Sequence, residues 1–89
     1  MRTYYIFVSG RVQGVFFRAN TVKKAKKFGI KGWVRNTKNG KVEILAQGSE
    51  KNIKEFFKWL EKGPLLAKVA DLKIEEKDLN QIFKEFERK

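Results

Sequence analysis

Lys31-Gly32-Trp33-Val34-Arg35-Asn36-Thr37-Lys38-Asn39-Gly40-Lys41-Val42-Glu43-Ile44-Leu45-Ala46-Gln47 is the stretch that decides the fold of this 89-residue chain. Lys31 to Thr37 and Lys41 to Gln47 read as strands, and the Asn-Gly pair between them is a strong hairpin signal, so the two are expected to pair antiparallel. Towards the N-terminus, Ala19, Val22, Ala25 and Phe28 form an apolar stripe with lysines opposite, which predicts a helix from Arg18 to Phe28 stopped by Gly29. Before it, Tyr4, Ile6 and Val8 alternate with Tyr5, Phe7 and Ser9 in a strand ending at Gly10. Towards the C-terminus, Ser49 is placed to cap a second helix with Glu50 in its first turn. Ile53, Phe56, Phe57 and Leu60 supply its apolar face, and Gly63-Pro64 ends it. Val69 to Glu76 reads as a strand. In the tail from Asp78 to Lys89, helical spacing at Leu79, Ile82, Phe83 and Phe86 competes with β-rich composition, and a short closing strand is favoured.

The order strand, helix, strand, strand, helix, strand is the βαββαβ pattern of a ferredoxin-like α+β sandwich. It predicts an antiparallel sheet of four to five strands with both helices on one face. A chain this short closes one core and buries roughly 60 to 65% of its extended surface. Without linkers or repeats, residues 1–89 are therefore expected to form a single domain. The pattern alone says little about function, because this fold hosts many.

Composition narrows the chemistry. With no cysteine and no histidine, a disulfide framework, a thiolate metal site and an imidazole base are all excluded, and neither metal nor cofactor is expected. The N-terminus runs straight into strand-like sequence, so neither a signal peptide nor a spanning helix is expected, and a cytoplasmic location is. The net charge of +11 is unevenly spread: residues 1 to 48 hold eleven Lys/Arg against one acid, Glu43, whereas residues 49 to 89 hold ten against nine. Such a field attracts an anion, whether nucleic acid, an acidic membrane surface or a small phosphate compound. The preference for Lys and Glu among the charges is one met in thermophilic proteins.

Two constellations bear on chemistry. Gly10-Arg11-Val12-Gln13-Gly14-Val15-Phe16-Phe17-Arg18 joins the first strand to the first helix. Its glycines let backbone N–H groups turn inward beside the helix N-terminus, forming a cup for a tetrahedral anion, and Arg18 adds a forked donor. A plain glycine turn with a solvated arginine fits the same spacing. In the second, Val34 and Asn36 share one strand face and Trp33 and Arg35 the other. Asn36 at the strand end can hold a water, or can simply favour the turn.

These residues together resemble the acylphosphatase family, whose motifs look like Gly-x-Val-Gln-Gly-Val-x-Phe-Arg, then Gly-Trp-Val-x-Asn, then Gly-x-Val-Glu. The chain carries Gly10 to Arg18, Gly32 to Asn36 and Gly40-Lys41-Val42-Glu43 in that order. The resemblance covers residues 4 to about 76, while Phe83 to Lys89 fits the family's closing strand loosely. It implies the ferredoxin-like sandwich and hydrolysis of acyl phosphates by direct attack of water, without cofactor. It also implies that Gly10, Arg11, Val12, Gln13, Gly14 and Val15 form the phosphate-binding loop, that Arg18 binds the phosphoryl group, and that Asn36 positions the water. The expected partners are a small anionic acyl phosphate and inorganic phosphate as product. Neither a membrane nor nucleic acid as the main partner is expected, and the chain should be a monomer. The competing class is a basic ferredoxin-like module that binds RNA or phosphate without catalysis, but the spaced aromatics of a full RNA-recognition motif are missing.

Overall fold

The computed structural model describes every residue from Met1 to Lys89. Its elements in chain order are β1 (Arg2–Arg11), α1 (Phe17–Lys27), β2 (Lys31–Asn36), β3 (Val42–Gly48), α2 (Glu50–Lys62), β4 (Lys68–Lys77) and β5 (Phe86–Arg88). The hairpin forms as its sequence demands, with Trp33 opposite Leu45 and Asn36 opposite Val42. Its turn differs in detail from a two-residue Asn-Gly turn. Gly40 N–H donates to the Thr37 carbonyl, Thr37 N–H donates to the Lys41 carbonyl, and Gly40 takes φ 85 while Asn39 keeps a negative φ. The result is a three-residue loop in which the glycine takes the left-handed position.

The sheet runs β4-β1-β3-β2-β5. The first four strands pair antiparallel, as the ferredoxin-like expectation requires. β5 departs from an all-antiparallel sheet: it lies parallel to β2, with Gly32 opposite Phe86, so the sheet is mixed. Chain path explains the departure. β4 and β5 occupy opposite edges, so residues 78–85 must cross the sheet before pairing, which frees β5 from hairpin geometry.

Alternation sorts the side chains. Ile6, Val8, Val34, Val42, Ile44 and Ala46 face the helices and join Phe17, Ala25, Ile53, Phe56 and Leu60 in one core. Phe17 meets Trp59 at 5.9 Å and Tyr4 meets Phe57 edge-on at 5.1 Å, which ties both helices to this face. Every residue of β3 is buried, because its other face lies under the tail. There Gln47 Nε2 donates to the Thr3 hydroxyl at 3.0 Å and the Gln81 carbonyl at 2.9 Å, while Phe83 N–H donates to Gln47 Oε1 at 2.9 Å. No helix is long and apolar enough to cross a membrane.

The two helix starts contrast. Ser49 caps α2 by accepting from Asn52 N–H at 3.2 Å. At α1 the residue in the cap position is Phe16, which has no capping side chain, and no acid follows in the first turn. The donors of the first α1 turn are therefore left for another acceptor.

Candidate active site

β1 runs one residue past the expected stop, to Arg11, and Gly10 is where its pairing with β4 slips. A Cβ at Gly10 would stand 2.2 Å from the Lys68 carbonyl oxygen, so only glycine lets β4 approach here. Gly10 and Arg11 thus belong to the sheet, opposite Val69 and Lys68, and the loop proper spans residues 12–16. Val12 is buried in the core and anchors the loop from below, while Gly14 is exposed with φ 74 and Val15 packs partly against the core. From Gln13 to Arg18 no backbone N–H donates to another protein group; the first bond of the helix is Asn20 N–H to Phe16 carbonyl, at 3.1 Å. Six consecutive free donors at a helix N-terminus make a ready anion site.

Gln13 turns away from that role with its side chain. Its Nε2 donates to the carbonyls of Thr37 and Lys41, each at 2.9 Å, and so ties the loop to the β2–β3 turn. Asn36, one residue before Thr37, is thereby held against the loop. Arg18 and Asn36 line the same hollow, about 220 Å³ in volume, with Gly14, Phe16, Ala19 and Arg88 among its walls. One Arg18 nitrogen donates to the Lys89 carbonyl at 2.9 Å, and Lys89 N–H donates to the Val34 carbonyl at 2.8 Å, so β2 and the tail together orient the guanidinium. Asn36 Oδ1 is buried and has no hydrogen-bond partner. A buried amide oxygen left unpaired costs about 1–3 kcal/mol unless something fills its place, and the residue that carries it lines a polar hollow.

The face bearing Glu43 is separate. Glu43 is buried, accepts from Arg35 Nε and, at 2.5 Å, from the Tyr5 hydroxyl, and lies on the side of the sheet away from Asn36. Burial and then the Glu43 acceptor push the Tyr5 phenol above its ordinary range; Glu43 likewise raises Arg35. Nowhere are three His, Cys, Asp or Glu side chains grouped to hold a metal ion. The sequence reading brought Arg18 and Asn36 to one site but missed Phe16, Phe17, Ala19 and Arg88 as walls and Gln13 as a clamp. Periodicity offers no signal for these, since each depends on how distant segments meet.

A family model described as Acylphosphatase matches residues 4–88. The chain is 40% identical over 86 residues to an acylphosphatase of Methylococcus capsulatus, covering 97% of this chain and 94% of that one. To an acylphosphatase of Paraburkholderia xenovorans it is 42% identical over 88 residues, covering 99% and 91%. It superposes on the crystal structure of acylphosphatase from Bacillus subtilis with a TM-score of 0.95 at 38% identity, over 99% and 98% of the two chains. The family match carries through the tail that motif resemblance alone fitted loosely.

Proposed function

The chain belongs to the acylphosphatase family, enzymes that hydrolyse the carboxyl–phosphate anhydride of acyl phosphates, and from this premise we propose that Arg18 and Asn36 divide the reaction between them. The observation that carries the proposal is that Asn36, whose buried Oδ1 has no partner, lines the same hollow as Arg18. The free N–H groups of the loop and the Arg18 guanidinium hold the phosphoryl oxygens and take up charge on them as the transition state forms. A water donates one hydrogen bond to Asn36 Oδ1, which leaves an oxygen lone pair directed at phosphorus. The new P–O bond forms as the bond to the carboxyl oxygen breaks. The carboxylate leaves with its electron pair and needs no proton. Because an amide is not a base near neutral pH, the water's proton passes to a phosphate oxygen of the substrate itself.

In this reading residues 1–89 work as one domain and as a monomer. A cysteine-free chain suits the reducing cytoplasm. The family match favours hydrolysis over the reading as an RNA- or phosphate-binding module. The test is phosphate release from benzoyl phosphate with excess chelator present. Turnover should be unchanged by chelation and competitively inhibited by inorganic phosphate. Turnover lost to chelator and restored by a divalent metal would overturn the cofactor-free mechanism, and failure of phosphate to compete would overturn the assignment of the loop.

A further inference from the structure

Phe16 is the one residue other than glycine with a left-handed backbone, at φ 62, and the residue is 71% exposed. Both facts are unfavourable. A bulky side chain is a genuine outlier in that region of backbone space, and a large apolar ring is left in water. Such strain marks sites where position serves a purpose. Phe16 stands between two hollows and is the only residue that lines both. On one side lies the anion cup. On the other lies a groove of about 670 Å³ walled by Val15, Trp59, Pro64, Leu65 and Leu66, with Leu65 98% and Leu66 60% exposed. That volume falls in the range of small-molecule sites, whereas the cup, at about 220 Å³, falls below it.

We propose that this groove is the acyl-group subsite and that it selects aryl or bulky branched acyl phosphates over acetyl phosphate. The inference rests on the reading of the cup as the phosphoryl site. Displacement at phosphorus is in line, so the leaving carboxylate departs on the side away from the attacking water. Asn36, which holds that water, borders the cup and not the groove. The acyl group therefore extends over Phe16, whose exposed ring and the two leucines cover an apolar body of matching character. Lys24 and Lys62 stand at the groove without an ion-pair partner, which favours an anionic substituent at the far end of the acyl group.

The test compares kcat/KM for benzoyl and acetyl phosphate in the unmodified protein and in the double variant Leu65→Ser, Leu66→Ser, with the inhibition constant of inorganic phosphate measured in both. Both leucines are exposed, so the fold should tolerate the change, and an unchanged phosphate constant verifies an intact cup. The unmodified protein should prefer benzoyl phosphate. The variant should lose about tenfold in kcat/KM for benzoyl phosphate, with little change for acetyl phosphate. Equal losses on both substrates, or none on benzoyl phosphate, would overturn the subsite while leaving the phosphoryl site standing. Hydrolysis of neither substrate by the unmodified protein would overturn the underlying reading and the subsite with it.

Discussion

Gln13 and Asn36 are both uncharged amides near the same loop, and their surroundings give them different tasks. Gln13 spends its donors on two backbone carbonyls of the β2–β3 turn, so it fixes a distance. Asn36 keeps a buried acceptor free beside the anion cup, so it is available to a third party. A similar contrast governs the ionisable groups of the opposite face. Buried Glu43 is held by Arg35, whose guanidinium lies 5.0 Å over the Trp33 ring, and by the Tyr5 hydroxyl. The Tyr5 phenol keeps its proton to higher pH in the fold than in the unfolded chain, first because it is desolvated and then because it donates to Glu43. Its contribution to stability is therefore fully present below the unfolded phenol value, about 10. It is lost as pH rises through the higher folded value. Tyr5→Phe should be less stable than the parent at pH 8 by about 1.5 kcal/mol, the size of a hydrogen bond to a charged group. The gap should close as pH is raised past 10. Urea midpoints measured across that range check this, and a gap that stays constant with pH would refute it.

Among the elements, α2 and the pairing of the β2–β3 hairpin, though not its turn, were legible, because each is specified locally: Ser49 and the apolar spacing from Ile53 to Leu60 for the one, strand alternation around a glycine turn for the other. The tail was not. β5 has three residues, and its place beside β2 depends on residues 78–85 crossing the sheet, which no local pattern encodes. What holds that crossing is Gln47, through three hydrogen bonds to Thr3, Gln81 and Phe83. Phe86, buried at the far end, packs edge-on against Phe56 at 6.2 Å. Gln47→Ala should destabilise the protein by about 1–3 kcal/mol, since it removes three hydrogen bonds and leaves buried Thr3 without its partner. It should also speed amide exchange at Phe83 and Lys89 ahead of the rest of the sheet. Exchange at those two amides that stays as slow as in the parent would contradict the anchoring role. The site shows the same division. That Arg18 and Asn36 belong together came from the motif resemblance, since spacing and alternation alone fit a plain glycine turn and a turn asparagine equally; the left-handed Phe16, the Gln13 clamp and the Arg88 wall arise only when the loop, the turn and the tail come together.

Across the whole molecule, the fold's work is to bring together segments that sequence keeps apart. The β1–α1 loop provides free N–H donors, the end of β2 provides an amide, and the tail orients an arginine. The excess of positive charge in residues 1–48 draws a dianionic substrate towards the half of the chain that builds the cup. The proposed catalysis is a division of labour. In that proposal Arg18 meets the phosphoryl group before and during reaction, so Arg18→Ala should weaken inhibition by inorganic phosphate as well as slow turnover, and Arg18→Lys should restore only part because it keeps charge without the forked geometry. Asn36, on the same proposal, meets only the attacking water. The most direct test is therefore kcat for benzoyl phosphate together with the phosphate inhibition constant in Asn36→Ala. The account predicts that kcat falls by roughly two orders of magnitude or more while the inhibition constant is nearly unchanged; a kcat near that of the parent, or a loss of phosphate binding as large as in Arg18→Ala, would contradict it.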